Sequence, residues 1–205
     1  AENTQWAMSA SPLVVGDHVI VLPGGKPGRS VVAYDKRTGA RVWSALDDTQ
    51  AYTAPMVATL NGVRQLVIVS ALRAAALALE DGRLLWEFPW VTDYNVSAAQ
   101  PAGDRNTVKT IWQNTRMKNK FASSVLHDGF IYGLDEAILA CIDAATGELK
   151  WKGGRYGYGQ LILAGSQILV MTERGELAIV RASPASHQEV VLIPAIDGRN
   201  WNHPA

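Results

Sequence analysis

Ala33-Tyr34-Asp35-Lys36-Arg37-Thr38-Gly39-Ala40-Arg41-Val42-Trp43 decides the architecture: an apolar strand, a turn on Asp and Gly, and a short run closing on tryptophan. The same sentence returns as Leu77-Ala78-Leu79-Glu80-Asp81-Gly82-Arg83-Leu84-Leu85-Trp86. It returns again as Cys141-Ile142-Asp143-Ala144-Ala145-Thr146-Gly147-Glu148-Leu149-Lys150-Trp151. Trp43 and Trp86 stand 43 residues apart, the length of one four-stranded propeller blade. The glycine supplies a backbone conformation other residues resist, and the aspartate can bond the amides of its own turn. The tryptophan ends the outer strand, where it is expected to bury on the order of 200 Å² between neighbouring blades. Trp43, Trp86 and Trp151 are therefore read as structural, with Trp112 in the same part in a third, damaged copy.

Working outward, each copy is preceded by a hairpin. Ser11 to Val15 and His18 to Leu22 flank Gly16-Asp17; Pro55 to Leu60 and Val63 to Val69 flank Asn61-Gly62; Ser123 to Leu126 and Phe130 to Leu134 flank Asp128-Gly129. Ala74 to Leu79 would suit a helix by propensity, but the repeat around it requires a strand. A further blade without the tryptophan runs Leu161 to Ala164, Gln167 to Met171, Glu176 to Ala182 and Gln188 to Ile193. The expected fold is an all-β propeller of four-stranded antiparallel blades, about five of them represented.

The third blade breaks the period. Pro12 to Pro55 is 43 residues and Pro55 to Pro101 is 46, but Pro101 to the equivalent Val125 is only 24. Roughly 20 residues, two strands and a turn, are short of a full blade, which suggests a gap between Pro101 and Ala102. Trp201 to Ala205 reads as the start of one more blade. Residues 1–205 are thus expected to form one propeller domain that is part of a longer chain or is completed by a second copy.

Composition narrows the partners. The chain has 205 residues, 48% hydrophobic, with 19 Lys and Arg against 19 Asp and Glu. With zero net charge and no basic run, nucleic acid and anionic membrane surfaces are disfavoured. The apolar stretches are strand-sized, so no membrane span is expected. Cys141 is the only cysteine and sits in an apolar run, which excludes an internal disulfide and reads as core. The opening Ala1-Glu2-Asn3-Thr4 reads as no signal peptide, as it would after cleavage.

The Asp-x-x-Thr-Gly-x-x-x-Trp pattern of Asp35–Trp43 and Asp143–Trp151, with the shortened Glu80–Trp86, resembles the pyrroloquinoline-quinone-type propeller repeat. That repeat occurs in quinoprotein alcohol dehydrogenases and in the outer-membrane assembly lipoprotein sharing their fold. The wider run, including Trp86-Glu87-Phe88-Pro89-Trp90 and Glu173-Arg174-Gly175-Glu176-Leu177, is similar to bacterial members of that superfamily. The resemblance implies a periplasmic or extracellular setting. For the enzymes of the family it implies PQQ with a calcium ion, an aspartate base, cationic residues for the quinone carboxylates and often an adjacent cysteine pair. One cysteine cannot make that pair, and Asp93 is the residue that could stand as the base.

A site belongs where segments joining one blade to the next gather around a funnel, since loops on a rigid scaffold collect binding residues. These segments carry Asp47, Asp48, Trp90, Tyr94, Arg116, Lys118, Lys120, Arg155, Tyr156, Tyr158 and His203. The cations would hold an anionic ligand and the aromatics would stack on it. No Gly-x-Ser-x-Gly, Ser-x-x-Lys, His-Glu-x-x-His or phosphate-binding glycine loop occurs. Ser123, Ser124, His127 and Asp128 span one strand and its turn, where neighbours point to opposite faces, so they form no triad. His18 and His187 lack metal-spaced partners, and no metal site is expected.

The leading expectation is a non-catalytic binding or scaffold module for a small anionic ligand or a peptide. A protein partner or a second copy could add at an open blade edge. The alternatives are a PQQ-dependent, calcium-assisted dehydrogenase or a degenerate relative, and a hydrolase working through Asp47, Asp48 and Asp93.

Overall fold

A computed structural model describes residues 10–24, 28–49, 53–70, 72–89, 96–101, 108–119 and 122–201. Every regular element among them is a strand. The first sheet is β1 (Leu13–Val15), β2 (His18–Val21), β3 (Val31–Asp35) and β4 (Arg41–Ala45), and the second is β5 (Met56–Leu60), β6 (Val63–Val69), β7 (Arg73–Leu77) and β8 (Leu84–Pro89). A two-stranded sheet of β9 (Val96–Pro101) and β10 (Val108–Asn114) follows. Then come β11 (Val125–His127), β12 (Phe130–Asp135), β13 (Ile138–Asp143) and β14 (Leu149–Arg155). The last sheet is β15 (Gln160–Ala164), β16 (Gln167–Met171), β17 (Glu176–Arg181) and β18 (Glu189–Pro194). Each four-stranded sheet pairs its strands in chain order, all antiparallel, so the protein is an all-β propeller of meander blades. The third sheet holds two strands where a blade has four, in line with the broken spacing.

Two compact units carry these blades, Ala1–Val91 with Pro101–Lys109, and Thr92–Gln100 with Thr110–Ala205. In the first, Ile20, Val31, Ala33, Trp43, Leu66, Ile68, Ala75, Leu77 and Leu79 form one core. Ala75, Ala76 and Leu77 are consecutive and all 0% exposed, so β7 is covered on both faces. That is why the alanine run serves as a strand: small side chains let covering layers approach on either side, and burial overrides helix propensity. In the second unit the core gathers Tyr132, Leu134, Leu139, Cys141, Leu161, Ile168, Val170 and Val180. Burial pushes the Cys141 thiol up to about 11, so it stays protonated and inert at neutral pH.

The repeated turn has one geometry wherever the motif is complete. Asp35 Oδ1 accepts the amides of Arg37 and Thr38 at 2.9 and 2.7 Å, and Asp143 Oδ1 accepts those of Ala145 and Thr146 at 2.9 Å each. Gly39 and Gly147 follow at φ 71° and 76°, where only glycine sits without strain. Each closing strand then bulges: the register slips beside the tryptophan, and Trp43 faces Ala33, Trp86 faces Ala76 and Trp151 faces Cys141, with β14 slipping a second time near its end. The last blade keeps the bulge, with Val191 facing Ile179 in the tryptophan's place.

The indoles tie consecutive sheets. Trp43 Nε1 donates to the carbonyl of Leu79 at 3.0 Å, Trp112 Nε1 to Ala144 at 2.9 Å and Trp151 Nε1 to Ser183 at 2.8 Å, each in the next four-stranded sheet. Trp86 precedes the two-stranded sheet and donates instead within its own blade, to Gln65 Oε1 at 2.6 Å.

Candidate functional site

In a four-strand antiparallel meander the segment entering the first strand and the turn between the second and third strands lie at the same end of the sheet. Three sheets use this proximity in the same way, with a charged residue at that turn fastening the entering segment. In the second blade, Arg73 at the start of β7 grips Asp48, its Nε and Nη2 donating at 2.9 and 2.7 Å to the two carboxylate oxygens. Nη1 of the same guanidinium donates to Glu87 on β8. Asp48 is only 2% exposed; burial pushes its carboxyl up, but the bonds and charge of Arg73 more than offset this and hold it below its ordinary value.

In the fourth blade, Asp135 at the end of β12 accepts the backbone N–H of Lys118 at 3.0 Å and the Lys152 ammonium at 2.7 Å. In the last blade, Glu173 after β16 accepts the N–H of Tyr158 at 3.2 Å and the indole of Trp201 at 3.2 Å, with Arg199 Nε at 3.5 Å. The Tyr158 amide foremost, then Trp201 and Arg199 against a modest burial penalty, hold the Glu173 carboxyl below its ordinary value.

Beside this last clamp lies a cavity of about 440 Å³, bordered by Arg155, Tyr156, Arg174 and Arg199, with Glu173 and Glu176. Arg155 ends β14 and Arg174 sits in the β16–β17 turn. Neither guanidinium has a carboxylate within ion-pair distance among the described residues. Tyr156 forms a buried part of the wall. Its hydroxyl donates to Glu189 Oε2 at 2.7 Å and, its one proton so committed, accepts from His187 Nε2 at 2.8 Å. Burial, then the Glu189 carboxylate, pushes the Tyr156 hydroxyl above its ordinary range, so it is a neutral group at any physiological pH. Close approaches pin the cavity walls. A Cβ on Gly157 would stand 2.6 Å from Cβ of Glu173, and one on Gly175 would run into the carbonyl of Ile196.

Of the residues expected at a funnel site, Arg155 and Tyr156 border this cavity, and Tyr158 fastens to its Glu173 wall. Lys118 reaches Glu136 at 3.5 Å, while Arg116 and Asp47 are exposed. Asp48 is the buried partner of Arg73 described above. Asp93, Trp90, Tyr94, Lys120 and His203 lie outside the described residues. Ser124, set aside as a nucleophile, accepts from Asn119 Nδ2 at 2.7 Å and is 3.1 Å from the Met117 sulfur.

Arg73, Asp135, Glu173, Arg174, His187 and Glu189 escape a reading of the inter-blade segments alone. The signal that finds most of them is strand alternation, which brings the second-to-third-strand turn to the same end of each sheet.

A family model described as outer membrane protein assembly factor BamB matches residues 3–188. No curated protein matches the sequence. Among solved structures, BamB from Moraxella catarrhalis is 19% identical with a TM-score of 0.64, the match covering 94% of this chain and 65% of that one. The computationally designed Ika8 protein is 12% identical with a TM-score of 0.68, covering 95% and 64%. Quinohemoprotein alcohol dehydrogenase from Comamonas testosteroni is 14% identical with a TM-score of 0.58, covering 93% and 43%. At such identities the likeness is one of fold, and this chain spans less than two thirds of each of these three structures.

Proposed function

This chain belongs to the family described as outer membrane protein assembly factor BamB, and on that premise we propose that it is a non-catalytic binding and scaffold propeller. Its recognition surface is the set of inter-blade segments and the turns clamped to them, and its ligand is a small anionic molecule or a peptide. The observation that carries this reading is the cavity bordered by Arg155 and Arg174, two guanidiniums with no ion-pair partner among the described residues. Both arginines are exposed and so open to a ligand, and a few convergent polar or charged groups around a cavity are what fix a ligand's orientation. Within the same compact unit Arg116, Lys118 and Tyr158 are proposed to extend the surface, with Tyr94, Lys120 and His203 assigned to it by sequence; Asp47 and Trp90 belong to the other unit. The family's description, an outer membrane protein assembly factor, supports a protein partner and a periplasmic setting.

A quinone-dependent dehydrogenase is the second reading, favoured by the likeness of fold to the quinohemoprotein enzyme. The described residues do not fit its cofactors. No group of three or more His, Cys, Asp or Glu among them could hold a calcium ion, and the single cysteine is buried in the core.

The test is fluorescence anisotropy of a labelled oligoglutamate peptide at low salt. Saturable binding is expected, weakened at least tenfold in a combined Arg116→Ala, Lys118→Ala, Arg155→Ala variant and by added salt, as for any surface led by charge. Binding indifferent to both, or none at all, would remove the reading.

A further inference from the structure

The cavity beside Arg155 and Arg174 has a charge arrangement more particular than a general anion site. We infer that it takes the C-terminal carboxylate of a peptide, with Arg155 and Arg174 on the carboxylate and Glu176 receiving a peptide N–H. The inference rests on the anionic-ligand reading of the same face.

The charges are unequal in their freedom. Arg199 is already committed, its Nε 3.5 Å from Glu173, whose carboxylate also holds the Trp201 indole and the Tyr158 amide. Arg155 and Arg174 have no such partner among the described residues, although Arg174 lies near enough to Glu173 to favour its ionised form. Glu176 engages the Thr172 hydroxyl at 3.4 Å through one oxygen, so it has acceptor capacity left. The cavity wall therefore offers two free cations and one acceptor, a balance of one positive charge. A single carboxylate neutralises that balance, whereas a phosphate dianion or a dicarboxylate would set its second charge against Glu176. A chain end supplies a carboxylate and an N–H donor a bond or two away, and guanidinium is the cation whose planar fork suits a carboxylate. Tyr156 holds its neutral hydroxyl away from the ligand in bonds to His187 and Glu189, so the ring presents an apolar wall. A volume of about 440 Å³ lies within the usual range for small-ligand sites and admits the last residues of a chain but no folded partner. Capture of a terminal carboxylate is an established way for a domain to recognise an extended peptide.

The experiment is a titration followed by NMR of the arginine Nε–H and tryptophan Nε1–H signals, using N-acetyl-Leu-Leu with a free carboxylate and the same dipeptide as its C-terminal amide. The free acid should move the Arg155 and Arg174 signals saturably, the amide should not, and Arg174→Ala should weaken binding at least tenfold. Equal shifts with the amide, or shifts of the same size with inorganic phosphate, would overturn the chain-end assignment. Shifts that appear at Arg116 instead, with the cavity signals still, would overturn it while leaving the broader anionic-ligand face standing. If neither peptide nor phosphate moves any signal of the face, both fall together.

Discussion

The turn glycines separate two costs that usually arrive together. Gly39 and Gly82 have almost the same φ, 71° and 72°, but a Cβ on Gly39 would meet open space and one on Gly82 would stand 2.5 Å from Cε3 of Trp43. Gly39→Ala should cost only the left-handed backbone, about 1 kcal/mol. Gly82→Ala must also push the buried indole out of its seat and should cost about 3 kcal/mol, read from urea unfolding by tryptophan fluorescence. Equal costs would mean that the ring has room to move.

The turn aspartates carry a pH signature. The amides and hydroxyl of Thr38 foremost, then the Arg37 amide, lower the Asp35 carboxyl, and the amides of Thr146 and Ala145 do the same for Asp143. Because the folded value lies below the unfolded 3.8, their contribution is complete above that value and fades as pH falls through the folded one. An Asp35→Asn, Asp143→Asn double variant should therefore be weaker than wild type at about pH 6, with the gap narrowing as pH falls below the unfolded value of 3.8. A gap that stays constant would deny the carboxylates this role.

Among the elements, the clamped segments matter most. Arg73 is the sole cation within ion-pair distance of the buried Asp48 among the described residues, and Asp48 also accepts the Ser30 hydroxyl at its backbone carbonyl, 2.7 Å away. Arg73→Ala leaves a nearly inaccessible carboxylate unpaired. It should cost about 2 kcal/mol, below the figure for a fully buried pair because Arg73 itself reaches solvent. Arg73→Lys should recover only part of the loss, since one ammonium cannot bond both oxygens in parallel. A negligible effect in chemical denaturation would show the clamp to be ornamental.

These clamps also mark where sequence reading stops. The hairpins at Asn61-Gly62 and Asp128-Gly129 are local events, legible because two adjacent residues with positive φ define them. The tryptophan turns are legible because they repeat. Asp48 meets Arg73 across 25 residues and Tyr158 meets Glu173 across 15, and no local pattern announces either meeting. An exposed-looking Asp48 in a polar segment reads as a ligand group until the β6–β7 turn is seen to place a guanidinium on it. Tyr156 is expected at the funnel face, but nothing local announces its bonds to His187 and Glu189, which run to a loop and strand more than thirty residues on.

At the scale of the molecule, the repeat relation is unfinished at β18. Val191 holds the register of the tryptophans, and Val190, Leu192 and Ile193 are 54%, 42% and 44% exposed on an edge strand. Apolar side chains on both faces of an edge are what a neighbouring strand or blade covers elsewhere in the fold. This surface supports the proposed protein partner or second copy, independently of the cationic cavity.

On the proposed reading this propeller binds its ligand without quinone chemistry. The measurement that tests it most directly is a titration of PQQ, with and without calcium, followed by quenching of the chain's seven tryptophans. No saturable, calcium-dependent quenching is expected, only the linear attenuation of an absorbing solute. Saturable quenching in the micromolar range or tighter that requires calcium would contradict the account and make Asp93 the first residue to replace.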